Sequence, residues 1–119
     1  EYTKVQNMIT HFIEHPDEGC QIVAEENGRL VGFTTLNAIW STTRMGKVGL
    51  LNDVFVNPSD RKKGIAEKLM QHTIKEAKER GYPIIRLLTA ADNTPAQKLY
   101  DKTGGKVPGW QVYDYDLSK

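Results

Sequence analysis

A run of basic residues stands directly after the most apolar segment of the chain. Arg61, Lys62 and Lys63 are followed by Gly64, Ile65 and Ala66, where a helical pattern begins. The first amide groups of a helix have no acceptor inside the helix and carry a partial positive charge, so they attract anions. A glycine lets an anion come close to the backbone, and the cations add to the attraction. These residues, called the 61–66 turn, therefore predict a binding site for a pyrophosphate group; a solvated basic turn is the alternative.

The segment before this turn holds a carboxylate among apolar residues. Asp53 follows Asn52 and precedes Val54, Phe55 and Val56. Burying an unpaired carboxylate is costly, so its presence needs a reason. Asp53 is a candidate for attracting an ammonium group or for accepting its proton, directly or through a water. The alternatives are an exposed aspartate at a β-bulge and an aspartate paired with an arginine or lysine.

The other reactive side chains give weaker signals. His11, His15 and His72 have no metal-ligand spacing with cysteines or carboxylates, and we expect no metal site. Cys20 as a nucleophile needs a base such as His15, and an inert thiol is the alternative.

The periodicity around these residues predicts a mixed α/β domain. Asn27-Gly28 is a strong hairpin signal, and the apolar run over 48–57 favours a central strand covered on both faces. A strand, a helix and a second strand over 48–90 imply a parallel pair with a right-handed crossover. The predicted elements are helices at 5–14, 64–80 and from Asn93 or Thr94 to before Gly104, strands at 21–26, 29–37, 48–57, 84–90 and 110–117, and a loop at 40–46.

Composition narrows the function classes. The 119 residues, 39% hydrophobic and 26% charged, favour a single globular domain over 1–119. The formal net charge of +1 argues against a domain that binds nucleic acid through bulk charge. No apolar run approaches 18 residues, so we expect no membrane partner. One cysteine, Cys20, cannot form an internal disulfide and indicates a reducing cytoplasm.

Two motifs carry a family resemblance. Arg61-x-x-Gly64-x-Ala66 resembles the Q/R-x-x-G-x-G/A acetyl-CoA signature of the GCN5-related N-acetyltransferases, the GNAT superfamily. Asn93-x-x-Ala96-x-x-Leu99-Tyr100, followed by Gly104, resembles the later helix motif of that family. The chain departs from the family in lacking most of the usual N-terminal strand and helix, and in having Gly105 where an aromatic residue often stands.

The resemblance implies a fold and a co-substrate. The fold is a mixed, mostly antiparallel sheet with a splayed parallel strand pair and helices on both faces. Acetyl-CoA would lie in the opening between the splayed strands. Its pantetheine arm would pair with the backbone of Val54, Phe55 and Val56, its pyrophosphate would bind the amides of Lys62 to Ala66, and Asn93 and Ala96 would contact it near the pantetheine.

The resemblance also gives Tyr100 a role, because family members often use a tyrosine here as the general acid. A phenol can supply a proton to a departing thiolate of comparable basicity. The alternative is a core tyrosine that packs with Leu99.

A narrower resemblance concerns the acceptor. Trp40-Ser41-Thr42, the segment 51–56 and Gly109-Trp110 resemble the diamine (spermidine/spermine) acetyltransferase branch, although Asn52 replaces a frequent glutamate. It implies a small primary amine, such as a polyamine or amino acid, and a homodimer. A protein N-terminus or lysine remains the rival acceptor. A non-catalytic acyl-CoA-binding module and a protein- or nucleic-acid-interaction module remain rival classes.

Overall fold

A computed structural model describes residues 2–118, apart from the side chains of Tyr2 and Val5. The elements follow in the order α1 (Tyr2–Glu14), β1 (Gly19–Glu26), β2 (Arg29–Ser41), β3 (Gly46–Val56), α2 (Ile65–Glu79), β4 (Ile85–Leu87) and α3 (Thr94–Lys102), with a 3-10 turn at Pro58–Asp60 between β3 and α2. No described helix has the length and apolar character needed to cross a bilayer.

The four strands form one sheet in the order β1-β2-β3-β4. The first two pairings are antiparallel, and β3 pairs with β4 in parallel. Asn27 (φ 53°) and Gly28 (φ 77°) make the predicted hairpin turn, because both adopt the left-handed conformation that such turns require. The predicted mixed sheet with one parallel pair is therefore confirmed.

Helices cover both faces of the sheet. Thr34 on β2 and Thr73 on α2 are fully buried and their hydroxyls lie 2.7 Å apart, so the Thr34 side of the sheet faces α2. A Cβ on Gly19 would lie 3.1 Å from the Phe12 ring of α1. Cys20 pairs with Leu36, so both side chains point to the α2 face of the sheet. Gly19 precedes Cys20 and faces the other way, so α1 lies over the opposite face. The buried apolar side chains are Val31, Leu36, Val48, Leu51, Val56, Leu69, Met70 and Ala77.

Strand β3 changes register at Asn52 and then loses one neighbour. Thr35 pairs with Asp53 and Leu36 with Leu51, so Asn52 is the extra residue of a β-bulge. The parallel pairing with β4 ends at Leu51 and Leu87. Residues 52–56 therefore continue β3 with no described strand on that side, which is the opening expected between splayed strands.

Three sequence predictions need correction. The loop predicted at 40–46 is shorter, because β2 runs to Ser41 and β3 starts at Gly46, which leaves a turn at 42–45. Strand β4 ends at Leu87 rather than at residue 90. The segment 110–117 has the alternation of a strand but pairs with no described strand, although β1 and β4 are edge strands; Trp110 and Tyr115 are 81% and 86% exposed.

Candidate functional site

The backbone of the 61–66 turn is open and lacks acceptors for its amides. Lys62 (φ 67°) and Gly64 (φ 79°) adopt the left-handed conformation, and α2 starts at Ile65. No side-chain oxygen caps the helix, and within residues 2–118 no hydrogen bond is made by the amides of residues 62–66. A Cβ on Gly64 would meet no atom within 4 Å. Several unpaired N–H groups around open space are the arrangement that binds a phosphate.

A buried carboxylate holds this turn in place. Asp60 is 1% exposed, accepts from Nη1 and Nη2 of Arg29 at 3.3 and 3.2 Å, and accepts from Nζ of Lys63 at 3.2 Å. The hydrogen bonds from Arg29, followed by that from Lys63, hold the pKa of Asp60 below its ordinary value. Sequence analysis missed this role, although an acidic residue beside three cations was a signal for an internal ion pair.

The three cations of the turn have different surroundings. Lys63 is directed at Asp60 and at Glu26 (3.6 Å), and the Asp60 contact raises the pKa of Lys63. Arg61 donates from Nε to the Val56 carbonyl at 2.9 Å. Lys62 makes no ion pair with any residue from 2 to 118. Within residues 2–118 neither Arg61 nor Lys62 has a carboxylate partner, whereas Asp60 and Glu26 offset the charge of Lys63.

The backbone of β3 presents alternate peptide groups to the opening. The Asn57 amide donates to Val31 on β2, whereas the Val56 carbonyl accepts from Arg61 and so points away from β2. Since a strand directs its peptide groups alternately to its two sides, Val54 and Val56 face the opening and Phe55 faces β2. Before the bulge, the odd-numbered Gly49 directs its amide to the β4 side. The extra residue Asn52 shifts the alternation by one, so the even-numbered Val54 and Val56 face that side after the bulge.

Asp53 lies on the sheet face opposite α2. Its partner across the strands is Thr35, which alternates with the α2-facing Thr34. The Asp53 side chain is exposed, and no ion pair or hydrogen bond joins it to another residue of the 2–118 stretch. The alternative that placed this aspartate at a β-bulge describes its position, and its carboxylate is accessible to a ligand.

Asn37 is a polar residue of the same face that sequence analysis missed. It lies two residues after Thr35 on β2, and its Oδ1 atom is buried without a hydrogen-bond partner. A buried acceptor left unsatisfied costs free energy, so such atoms often mark ligand sites. The signal in the sequence was an amide side chain between Leu36 and Ala38 in an otherwise apolar stretch of β2.

Tyr100 lines a cavity on the α2 side of the sheet. The cavity has a volume of about 270 Å³, is open to solvent on one side, and is lined by the second half of α2, the β4 segment and the end of α3. Tyr100 is half-buried there, and burial raises the pKa of its hydroxyl above the ordinary value of 10.0. Asp53 and Tyr100 therefore approach from opposite faces of the sheet, and the structure does not bring them into contact.

Asn93 and Ala96 begin α3. The Asn93 Oδ1 atom accepts from the Ala96 amide at 3.3 Å, which is an N-cap. The predicted ligand contact of Asn93 is thus left to its Nδ2 group.

The structure describes the surroundings of two weaker candidates, Cys20 and His11. Cys20 is half-buried, and burial raises the pKa of its thiol, which is unfavourable for a nucleophile. His11 Nε2 lies 2.8 Å from Oε1 of Glu18. The sequence spacing of the histidines gave no sign of this contact with a carboxylate.

Comparisons with known proteins identify a family to which this chain is similar. A model of the family described as "Acetyltransferase (GNAT) family" matches residues 2–105. The uncharacterised N-acetyltransferase YhfO of Bacillus subtilis is 36% identical over 87 residues, which are 73% of this chain and 58% of that protein. The uncharacterised N-acetyltransferase MJ1207 of Methanocaldococcus jannaschii is 33% identical over 99 residues, which are 79% of this chain and 44% of that protein. The chain thus spans about half the length of these curated relatives.

A solved structure titled a probable acetyltransferase superposes with a TM-score of 0.78 at 30% identity, over 92% of this chain and 76% of that one. None of these three names specifies an acceptor, so the diamine branch gains no support from them. The family match covers both motifs, the 61–66 turn and the opening of β3. The chain belongs to the GNAT acetyltransferase family.

Proposed function

We propose that this chain transfers an acetyl group from acetyl-CoA to a primary amine of a small molecule, by direct attack of the amine. The observation that carries the proposal is the set of acceptor-free amides at residues 62–66, around the open space above Gly64. The family match supports the reaction class.

The residues present fit acetyl-CoA as co-substrate. The amides of Lys62 to Ala66 would bind the pyrophosphate, and Arg61 and Lys62 would add positive charge beside it. The peptide groups of Val54 and Val56 would pair with the pantetheine arm, since they face the opening. The Nδ2 group of Asn93 and the methyl group of Ala96 would contact the co-substrate at the start of α3. Acetyl-CoA supplies the thioester carbonyl that the amine attacks.

Two acceptor groups on the α1 side of the sheet suit a primary amine. The exposed carboxylate of Asp53 attracts an ammonium ion. Asn37 Oδ1 is a second acceptor, and Asn37 lies two residues from Thr35, the cross-strand partner of Asp53. An ammonium has three donors and no acceptor, so it can satisfy both oxygens. The ligand class that matches this pair is a small cationic amine, such as a polyamine or an amino acid.

The reaction needs two proton transfers by side chains, and Asp53 and Tyr100 would carry them out from opposite faces of the sheet. Asp53 accepts a proton from the ammonium, directly or through a water, because only the neutral amine is nucleophilic. The amine nitrogen bonds to the carbonyl carbon, the carbon–sulfur bond breaks, and the Tyr100 hydroxyl gives its proton to the departing sulfur. The new amide nitrogen then releases its surplus proton to solvent, and the Tyr100 phenolate takes a proton back from solvent. The raised pKa of Tyr100 keeps this hydroxyl protonated at neutral pH, as a general acid requires.

We also propose that the protein acts as a homodimer in the cytoplasm. The support for assembly is the apolar surface of its last residues, since Val107, Trp110, Val112, Tyr113, Tyr115 and Leu117 are all exposed. The support for location is the single, unbridged Cys20. Light scattering after size exclusion tests the assembly, and a mass of 13.5 kDa in solution overturns it.

Calorimetric titration with coenzyme A tests whether the unpaired amides of residues 62–66 bind the pyrophosphate. A Lys62→Glu variant places a carboxylate at the turn and should weaken coenzyme A binding at least tenfold, while pantetheine, which lacks the pyrophosphate, should bind both proteins equally. Lys75→Glu, on the exposed side of α2, is the matched control and should bind as the unmodified protein does. Absence of coenzyme A binding overturns the proposal.

Thiol release with an amine panel tests the reaction. Acetyl-CoA with polyamines and amino acids should release free thiol. Release only with peptides overturns the small-molecule acceptor in favour of a protein acceptor. Coenzyme A binding without release from any amine overturns catalysis in favour of a binding module.

A further inference from the structure

The end of α1 and the turn after it bring two imidazoles and a carboxylate together at the surface. His11 and His15 are one helical turn apart, and their rings stack with centroids 4.2 Å apart. Glu18 returns to the same place, with its Oε1 atom 2.8 Å from His11 Nε2. One potential ligand atom from each of the three side chains lies within 4.8 Å of the other two. This group is called the α1 cluster.

The hydrogen bonds of the α1 cluster leave one imidazole nitrogen ready to bind a cation. His15 Nδ1 lies 3.0 Å from the His11 carbonyl, which can only accept, so Nδ1 carries the hydrogen. The lone pair of neutral His15 is then on Nε2. Fixing one ring nitrogen by a backbone carbonyl is a common way in which metal-binding histidines are oriented.

We propose that the α1 cluster is a binding site for a divalent transition-metal cation such as Zn²⁺, with Nε2 of His11, Nε2 of His15 and the carboxylate of Glu18 as ligands. The ion would replace the proton now shared by His11 and Glu18. Bond lengths of about 2.0–2.2 Å around a tetrahedral ion put ligand atoms roughly 3.3 Å apart. All three side chains are exposed, so rotation of the His11 and Glu18 side chains closes the remaining distance, while the His15 ring keeps its hydrogen bond to the His11 carbonyl.

The backbone that carries these ligands is already ordered. The Glu18 amide donates to the His15 carbonyl at 2.9 Å, and the Glu18 carbonyl accepts from Ala38 at 2.9 Å. Lys47 donates to the Asp17 carbonyl and Arg80 to the Pro16 carbonyl. Binding an ion therefore needs ordering of the side chains alone and not of the backbone.

The donor set decides the class of ion. Two imidazole nitrogens and one carboxylate oxygen suit Zn²⁺ and its neighbours rather than Mg²⁺ or Ca²⁺, which prefer oxygen alone. Three protein ligands leave a coordination position for water. A bound ion would tie α1 to the start of β1, and a ligand that binds only the folded state raises its stability.

The α1 cluster is separate from the site proposed for acetyl-CoA. Arg80, which contacts the turn at Pro16, follows the C-terminal end of α2, whereas the 61–66 turn precedes its N-terminal end. A helix of 15 residues is roughly 22 Å long. The two sites should therefore bind their ligands independently.

Calorimetric titration of tag-free, chelator-treated protein with Zn²⁺ alone tests the site, with thermal unfolding as a second readout. We expect one ion per chain and a melting temperature that rises with Zn²⁺ concentration. His15→Gln and Glu18→Gln should each weaken binding at least tenfold and reduce the rise. Far-ultraviolet circular dichroism checks that the variants are folded.

Two controls separate the α1 cluster from other donors. His72→Gln, at an exposed histidine of α2, and Cys20→Ser should both bind Zn²⁺ like the unmodified protein. The proposal is overturned if the protein shows no saturable binding, or if Cys20→Ser abolishes binding while His15→Gln and Glu18→Gln do not.

Discussion

Arg29 and Asp60 form a two-point contact that joins the start of β2 to the turn before α2. The guanidinium donates to both carboxylate oxygens, at 3.3 and 3.2 Å, across 31 residues of sequence. The same carboxylate binds Lys63, so the strand, the 3-10 turn and the 61–66 turn meet at one side chain. The amides proposed to hold the pyrophosphate therefore depend for their position on a carboxylate that does not touch the ligand.

Replacing Asp60 by asparagine should loosen the 61–66 turn and weaken coenzyme A binding about tenfold or less, with pantetheine binding unchanged. Asparagine keeps the shape but loses the charge that attracts Arg29 and Lys63. Calorimetry with both ligands makes the measurement, and Glu25→Gln at an exposed carboxylate is the control. Equal coenzyme A affinity in Asp60→Asn and the unmodified protein would show that the turn is held by other contacts.

The same contact should appear in the acid dependence of stability. The pKa of Asp60 is below its ordinary value of 3.8 in the folded protein, because Arg29 and then Lys63 favour the charged form. Its contribution is therefore complete above the unfolded pKa and is lost as pH falls through the folded one. Urea unfolding from pH 5 to pH 2 should show a shallower loss of stability for Asp60→Asn than for Glu25→Gln. Parallel curves would contradict this.

The hydroxyl pair between β2 and α2 gives a prediction about stability alone. Thr73 donates to the Leu69 carbonyl, so Thr34 donates to Thr73. Thr73→Val leaves the buried Thr34 hydroxyl without an acceptor and should cost about 1–3 kcal/mol. The double variant Thr34→Val, Thr73→Val removes both polar groups and should be more stable than Thr73→Val. Urea unfolding of the unmodified protein, Thr34→Val, Thr73→Val and the double variant measures the four free energies of unfolding. If the two single losses of free energy add up to the loss in the double variant, the hydroxyls do not interact.

The parts of the fold that could be predicted are those encoded locally. Asn27-Gly28 permits the positive φ of a hairpin turn, and Gly64 permits the φ of 79° that begins α2. The strand–helix–strand order requires a parallel pair, and β3 and β4 form it.

The parts that could not be predicted depend on pairing at a distance. The bulge at Asn52 exists because β2 fixes the register on both sides of it, and the burial of Asp60 depends on Arg29, 31 residues away. Glu18 reaches His11 only because the turn after α1 reverses the chain. Residues 110–117 alternate as a strand does, but alternation alone does not pair a segment with an edge strand such as β1 or β4.

Asn37 gives a prediction that separates binding from stability. Asn37→Leu removes the buried, unpartnered Oδ1 atom, so the variant should be no less stable than the unmodified protein. If Asn37 contacts the amine, the same variant should raise the amine KM at least tenfold and leave coenzyme A binding unchanged. Steady-state kinetics and thermal unfolding make the two measurements. An unaltered amine KM would remove Asn37 from the acceptor site.

Tyr100→Phe removes the hydroxyl proposed to protonate the departing thiolate. Because a positioned acid contributes about 10²–10⁴ in rate, kcat should fall by that factor while coenzyme A affinity stays the same. Tyr113→Phe, 80% exposed, is the control and should keep full activity. Burial raises the pKa of Tyr100 above its ordinary value of 10.0, so the hydroxyl stays protonated up to at least that pH. Loss of the hydroxyl proton should therefore appear as a fall in the kcat of the unmodified protein only above about pH 10. A full kcat for Tyr100→Phe would assign the hydroxyl to packing in the cavity beside α2, and a reduced affinity for coenzyme A would assign it to binding.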